Sequence, residues 1–214
     1  MLFNSLEFLL FFPTVCLCYY VIPHRIRYLF LLVCSYFFYM CWNPQYALLM
    51  LTSTAITYAS GLLLEKAKQS GEEKRRRRRM HWCVALSFIS NLAILFFFKY
   101  FDFAADTVVR LCALAQIQVQ RPAFDVVLPV GISFYTFQAL GYTVDVYRGE
   151  IYAEKNFLKY ALFVSFFPQL VAGPIERSKN LLIQINEKHR FEFARVRDGL
   201  LLMLYGYFQK VVLA

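Results

Sequence analysis

The sequence is poor in charge for its length. Of its 214 residues only 17% are charged and 59% are hydrophobic, and the mean hydropathy is +0.47. A soluble domain is ordinarily about 25% charged and at most about half apolar. Several runs of about 18 or more residues contain almost no charge, which is typical of helices that cross a bilayer. We therefore expect a polytopic membrane protein rather than a soluble domain.

Three further features are missing from the sequence. Residues 1–22 have no basic segment and no small-residue cleavage site, so we expect a retained membrane segment rather than a signal peptide. The six cysteines lack the paired spacing of zinc ligands, so no metal site is predicted. No internal repeat is visible, which disfavours an inverted-repeat transporter.

The hydrophobic residues are grouped into apolar stretches at about residues 2–22, 28–42, 45–64, 82–101, 126–146, 157–173 and 199–214. Backbone polar groups in lipid must be satisfied within each segment, and the alternating pattern of barrel strands is lacking. The predicted fold is therefore all-α, a single polytopic transmembrane helical bundle over residues 1–214. Pro168 and Gly173-Pro174 predict that 157–173 is a broken or re-entrant helix rather than a plain span.

Positive charge is concentrated between the apolar stretches. Residues 65–81 hold eight Lys and Arg against three Glu, and residues 24–27 form a second basic connection. Short basic loops stay in the cytoplasm, so both are predicted to be cytoplasmic, with the N-terminus outside the cell membrane. Residues 102–125 are then expected outside, as a surface helix and a loop. For the run 74–79 an added contact with anionic lipid remains open, whereas nucleic-acid binding is not expected.

The fifth stretch lies within LPVGISFYTFQALGYTVDVYRG (residues 128–149), which carries polar groups that lipid penalises. On a helix Gly131, Tyr135, Gln138, Tyr142 and Asp145 share one narrow face. A carboxylate deep in hydrocarbon costs about 2.5–3.5 kcal/mol on insertion scales, so this face should be turned to other helices or to a water-filled cavity. Hydrogen bonding between helices and lining of a substrate path both remain open.

Weaker polar patterns occur in two other stretches. Ser53, Thr57 and Gly61 form a row of small residues, which predicts close helix packing. Ser87 and Asn91 are one turn apart, and we expect Asn91 to bond a neighbouring helix.

Two segments are specific enough to indicate a family, namely PVGISFYTFQ with the later DVYRG, and FFPQLVAGPIERSKNLL at 166–182. They resemble the membrane-bound O-acyltransferase (MBOAT) family, and are closest to its bacterial members that modify alginate and teichoic acids. The resemblance covers the chain as the N-terminal half of a larger domain. It implies transfer of an acyl group, preferably acetyl, from a cytosolic thioester such as acetyl-CoA or an acyl carrier protein.

The same resemblance gives the expected partners and site. The partners are the lipid bilayer, the thioester donor, and an exported polysaccharide or an extracytoplasmic acyltransferase partner; no bound cofactor is expected. The family's catalytic histidine lies in its second half, and His24, His81 and His189 are interpreted as residues of solvated connections. No catalytic residue is thus expected in this chain.

The residues expected to line a substrate path are Tyr135, Gln138, Tyr142, Asp145, Gln169, Glu176 and Arg177. Glu176 and Arg177 could instead pair with each other or be solvated. Two other classes of function remain as alternatives, a transporter or channel and a non-catalytic membrane assembly subunit.

Overall fold

The computed structural model describes residues 5–69, 71–114, 128–170 and 173–210, and within these ranges the regular structure is helical, without strands. The all-α prediction is confirmed. The helices are α1 (Leu6–Val21), α2 (His24–Met40), α3 (Pro44–Lys68), α4 (Glu73–Leu114), α5 (Ile132–Arg148), α6 (Phe157–Ser165), α7 (Phe167–Leu170), α8 (Ser178–Asn186) and α9 (Phe193–Phe208).

Two helices, α3 and α4, are long and apolar enough to cross a membrane by length and composition, and α1 is a shorter apolar helix. Large apolar side chains are exposed along α3 and α4, among them Leu48, Leu86, Ile89 and Phe96. Extended apolar surface of this kind is normally covered by lipid or by protein. The long helices and their exposed surface therefore favour a membrane setting.

The helix α4 is longer than the sequence pattern suggested. The stretch 65–81, expected as a loop, is helical at 65–68 and 73–81, and residues 102–114 continue α4 instead of forming a separate surface helix. Lys, Arg and Glu are good helix formers, so a basic run does not end a helix. The 42 residues extend about 63 Å, roughly twice the hydrocarbon thickness. Positions 115–125 of the predicted external region lie outside the described residues.

The helix α5 forms the centre of the bundle. Nine of its 17 residues are buried, and it packs against α3, α4, α6 and α8. The main hydrophobic core collects around it, with contributions such as Met50 and Leu64 from α3 and Phe163 from α6. A smaller cluster joins α1, α2 and α7 through Phe8, Val15, Phe38 and Phe167.

The predicted break in 157–173 is confirmed. The helix α6 ends at Ser165, and Phe166 takes an extended backbone conformation (φ −56°, ψ 109°) before α7 begins. Pro168 lies in the first turn of α7, where its missing N–H would have had no intrahelical partner. The first free donor of α7, the N–H of Phe167, bonds Ser35 Oγ of α2 at 3.2 Å. At nine residues, α6 spans about 14 Å, too short to cross a bilayer.

The chain through α6 and α7 enters and leaves at the same end of α5. Before α6, the N–H of Glu154 bonds the Tyr142 hydroxyl oxygen at 2.9 Å, and at the start of α8 Ser178 Oγ donates to Asp145 Oδ2. Between these points the Leu170 carbonyl reaches the other end of α5, 2.4 Å from where a Cβ on Gly131 would lie. The chain thus turns back on itself, as expected of a re-entrant segment.

Candidate functional site: the polar ridge of α5 and its cavity

The polar face predicted on α5, here called the α5 ridge (Gly131, Tyr135, Gln138, Tyr142, Asp145), is turned into the protein. Tyr135 and Tyr142 are fully buried, Gln138 is 5% exposed and Asp145 is half-buried. By contrast, Phe134 and Phe137, on the face of α5 next to the ridge, are exposed. The ridge is therefore sheltered by other helices, and the expectation that it avoids the lipid-facing surface is confirmed.

Gln138 bonds the backbone of α6 next to the break between α6 and α7. Its Nε2 donates to the carbonyl oxygen of Phe163 at 2.6 Å. That carbonyl lies in the last turn of α6, where carbonyl groups lack intrahelical donors because the helix stops. An amide in the middle of α5 thus satisfies a buried acceptor that the break creates, which explains why a polar residue is retained there.

Tyr142 joins three elements at one point. Its ring lies 4.4 Å, centroid to centroid, from that of Tyr160 in α6, and Gly61 of α3 faces it with no room for a side chain. Its hydroxyl oxygen accepts from Glu154 N. Tyr160 in turn donates to Thr57 Oγ1 at 2.7 Å. The row of small residues predicted on α3 therefore packs closely, as expected.

Asp145 anchors the start of α8. Its carboxylate accepts from Ser178 Oγ, and Ser178 is buried. Glu176 accepts from Asn180 Nδ2 at 2.7 Å instead of pairing with Arg177, and Arg177 is exposed without an ion pair among the described residues. Of the open alternatives, pairing between Glu176 and Arg177 is not found among the described residues, whereas Arg177 is solvated.

A cavity of about 250 Å³ lies beside the C-terminal half of the α5 ridge. It brings together five of the predicted path-lining residues, namely Gln138, Tyr142, Asp145, Glu176 and Arg177. Gly141, Arg148, Glu150 and Ser178 also line it, and sequence reasoning missed them. Ser178 alone left a signal, because a serine before an apolar run is typical of a helix start.

The other two predicted residues, Tyr135 and Gln169, do not line this cavity. The Tyr135 hydroxyl is buried near that of Tyr39 in α2, but neither meets hydrogen-bond geometry with any described residue. Gln169 lies in α7 with its Oε1 buried and likewise without a partner in the described chain. Tyr135 belongs to the main core, so its position is that of a packing residue.

Polar contacts on the neighbouring helices hold α5 in register. Ser53 of α3 donates to Asn91 Oδ1 of α4, so the prediction that Asn91 bonds a neighbouring helix is confirmed. Ser87 and Thr143 hydroxyl oxygens lie 3.4 Å apart between α4 and α5. Such bonds are worth about 0.6–2 kcal/mol each inside membranes, enough to fix helix rotation.

The connection between α5 and α6 is tied to α3. Glu65 accepts from the N–H of Ala153 at 2.6 Å, Tyr58 donates to the carbonyl of Lys155 at 2.6 Å, and Lys68 donates to the carbonyl of Val146. Because these bonds reach backbone groups, they fix the loop that borders the cavity.

The histidines are placed away from the cavity. His81 is exposed within α4, so its placement in a connection was wrong, and His189 follows α8 and is half-buried. His24 begins α2 and is half-buried, with Nδ1 lacking a partner in the described chain, which corrects the expectation of a solvated residue. Among the described residues no group of three or more His, Cys, Asp or Glu could hold a metal ion.

The cavity can bind and orient a polar molecule. It offers the Asp145 and Glu176 carboxylates as acceptors and the Arg148 and Arg177 guanidinium groups as donors. Among the described residues that line it, none carries an imidazole or a thiol. These features define a helical protein of membrane character with a sheltered polar ridge beside a charged cleft.

Comparisons with known proteins find relatives that are named as O-acetylases or O-acetyltransferases. The whole chain is 35% identical over 216 residues to the probable alginate O-acetylase AlgI of Pseudomonas aeruginosa, covering 40% of that protein. It is 33% identical to the probable alginate O-acetylase AlgI of Azotobacter vinelandii, covering 42%. It is 29% identical over 246 residues to the peptidoglycan O-acetyltransferase of Helicobacter pylori, covering 44%.

These relatives confirm the resemblance drawn from the two sequence motifs. The chain aligns over 100% of its own length but spans only 40–44% of the length of the relatives it matches. No family model and no solved structure matches it.

Proposed function

We propose that this chain is the N-terminal part of a multi-pass O-acyltransferase of the cell membrane, which moves an acetyl group from a cytosolic thioester to a hydroxyl of an exported polysaccharide or partner protein. The observation that carries the proposal is similarity along the whole chain to proteins named as O-acetylases of alginate and of peptidoglycan. The sheltered α5 ridge supports it, because an acyl-transfer path through lipid needs polar groups screened from the hydrocarbon.

The reaction moves an acyl group from the sulfur of a thioester to the oxygen of a hydroxyl. A hydroxyl oxygen attacks the thioester carbonyl, the C–S bond breaks, an ester C–O bond forms, and the hydroxyl proton passes to a base while the thiol leaves. A hydroxyl is a weak nucleophile without such a base. Since the described cavity holds no imidazole, we assign the base to a histidine beyond these residues, as the family resemblance implies.

In this proposal the residues of this chain bind the donor and hold the helices around the cavity in position. Gln138 and Asp145 fix α6 and α8 against α5 through Phe163 and Ser178. Arg177, which has no ion pair among the described residues, places a cation at the cavity, where it would suit a phosphate group of a thioester donor such as acetyl-CoA; Arg148 is paired with Glu150 at 3.9 Å. In this proposal none of these residues is catalytic.

The proposal is tested with the full gene product in inverted membrane vesicles that enclose the exported polysaccharide and are supplied from the medium with acetyl-radiolabelled acetyl-CoA. Alkali-labile label in the polymer measures transfer. Asp145→Ala removes a charged hydrogen bond and should lower transfer about tenfold or more. Gly141→Met should also lower it, because Gly141 lines the cavity with open space around it.

The matched controls lie on α9. Asp198→Ala alters an exposed carboxylate, and Gly199→Met adds a side chain where nothing lies within 4 Å, so both should leave transfer unchanged. Absence of labelled polymer with the unmodified protein would remove the enzyme proposal. Equal transfer by Asp145→Ala and Asp198→Ala would remove the role of the cavity.

A further inference from the structure

A basic groove lies on the surface where the end of α3 meets the start of α4. This α3–α4 groove has a volume of about 570 Å³ and is lined by Leu63, Lys66, Arg75, Arg78, Arg79 and Trp82, among others. We propose that it binds the phosphate headgroup of an anionic phospholipid. The proposal rests on the membrane setting, and on nothing about acyl transfer.

The spacing of the residues builds a groove rather than a diffuse charge run. On α4, positions 75, 78, 79 and 82 follow the spacing of one helix face, while 74 and 77 lie elsewhere. On α3, Leu63 and Lys66 are likewise one turn apart. The helices pack side by side, so the two faces meet along a shared cleft.

The groove carries an excess of positive charge. Its described lining contains four cations and no carboxylate, and Glu72 and Glu73 line the neighbouring pocket with Arg75 and Arg78. None of these cations is in an ion pair within the part of the chain that the structure describes. Like charges at this spacing on a helix repel each other, and a bound anion relieves that repulsion. A phosphate is the anion that arginine forks match best.

The surface next to the cations is that of a lipid tail site. Trp82 closes the groove and is 66% exposed, and further along α4 Leu86 and Ile89 are 66% and 65% exposed. From Arg75 to Ile89 the helix rises about 21 Å, so cations, aromatic ring and aliphatic side chains follow in order along one path. Basic, aromatic and apolar layers in this order mark the membrane interface. That order fits an amphiphile, because a soluble anion bound at the cations would leave the exposed apolar side chains uncovered.

The test uses the full-length protein reconstituted in phosphatidylcholine vesicles containing about 10 mol% phosphatidylglycerol with brominated acyl chains, which quench nearby tryptophan. Trp42→Phe is made throughout so that Trp82 is the reporter within this chain. Brominated phosphatidylglycerol should quench more than brominated phosphatidylcholine at the same fraction. The triple variant Arg75→Gln, Arg78→Gln, Arg79→Gln should reduce that preference about tenfold or more.

The control triple variant Lys74→Gln, Arg76→Gln, Arg77→Gln removes the same charge outside the groove and should keep the preference. Equal losses in both triple variants would mean general surface attraction and would overturn the site. Equal quenching by both lipids in the unmodified groove would do the same. Displacement of the lipid by millimolar inorganic phosphate would assign the groove to a soluble anion instead. Because a triple variant can misfold, Arg78→Gln alone is measured too, and an unchanged preference there and in the groove triple contradicts the proposal.

Discussion

Gly61 of α3 lies directly against the ring of Tyr142 in α5. A Cβ on Gly61 would be 2.8 Å from Cε1 and 2.9 Å from the hydroxyl oxygen of Tyr142. Tyr142 is fully buried, and its ring also packs on Tyr160. The missing side chain at Gly61 therefore sets how closely α3 approaches the α5 ridge.

Gly61→Ala should destabilise the protein by about 1–3 kcal/mol, the usual cost of adding a methyl group to a packed interior. Thermal unfolding of detergent-solubilised protein measures it. Gly141→Ala is the matched control on α5, since a Cβ there meets nothing within 4 Å. Equal midpoints for the two variants would show that α3 and α5 are not packed as described.

Gly131→Ala should be more damaging than Gly149→Ala. Both glycines have positive φ, +76° and +80°, which costs an alanine about 1–2 kcal/mol. Only at Gly131 would the Cβ also meet a backbone atom, the Leu170 carbonyl oxygen at 2.4 Å. Unfolding midpoints of the two variants separate the clash from the backbone strain. Matching losses would mean that α7 does not reach the start of α5.

Gln138→Leu should lower the free energy of unfolding by about 1–3 kcal/mol, because the Phe163 carbonyl loses its donor and stays buried. Thr136→Val is the control two residues earlier. The Thr136 hydroxyl is buried without a partner among the described residues, so its removal should be neutral or stabilising. Chemical denaturation of both variants gives the comparison, and the reverse order of stabilities would contradict the role given to Gln138.

Cysteine labelling tests the orientation predicted from the basic segments. Cys41 is a native exposed thiol in the α2–α3 connection, and Gln69 is exposed between α3 and α4. In a background without the other cysteines, a membrane-impermeant maleimide added to intact cells should label Cys41 and not Gln69→Cys. In inverted vesicles the pattern should reverse. Labelling of both from one side would mean that α3 does not cross.

The sequence predicted the features that depend on local periodicity and on lipid chemistry. The 4, 3, 4, 3 spacing along the α5 ridge found its buried face, and Pro168 with Gly173-Pro174 signalled the break in 157–173. The same reasoning misjudged 65–81, since a run of Lys and Arg reads as a loop by charge although these residues favour helix. No local feature of the sequence distinguishes a basic loop from a basic helix.

The remaining site contacts join residues far apart in the chain. Tyr160 bonds Thr57, and Ser178 bonds Asp145. Such pairs depend on how helices pack, which periodicity on one helix does not specify. The place of Gly141 on the cavity could not be predicted either, because open space around a residue leaves no pattern in the sequence.

The most direct test concerns α5, whose ridge is expected to face protein while the neighbouring face with Phe134 and Phe137 faces lipid. Carbene footprinting in native membranes with a lipid-soluble diazirine, read by mass spectrometry, tests it without any substitution. We expect label on Phe134 and Phe137, and protection of Tyr135, Gln138 and Tyr142. Label on Gln138 and Tyr142 at the level of Phe137 would contradict it.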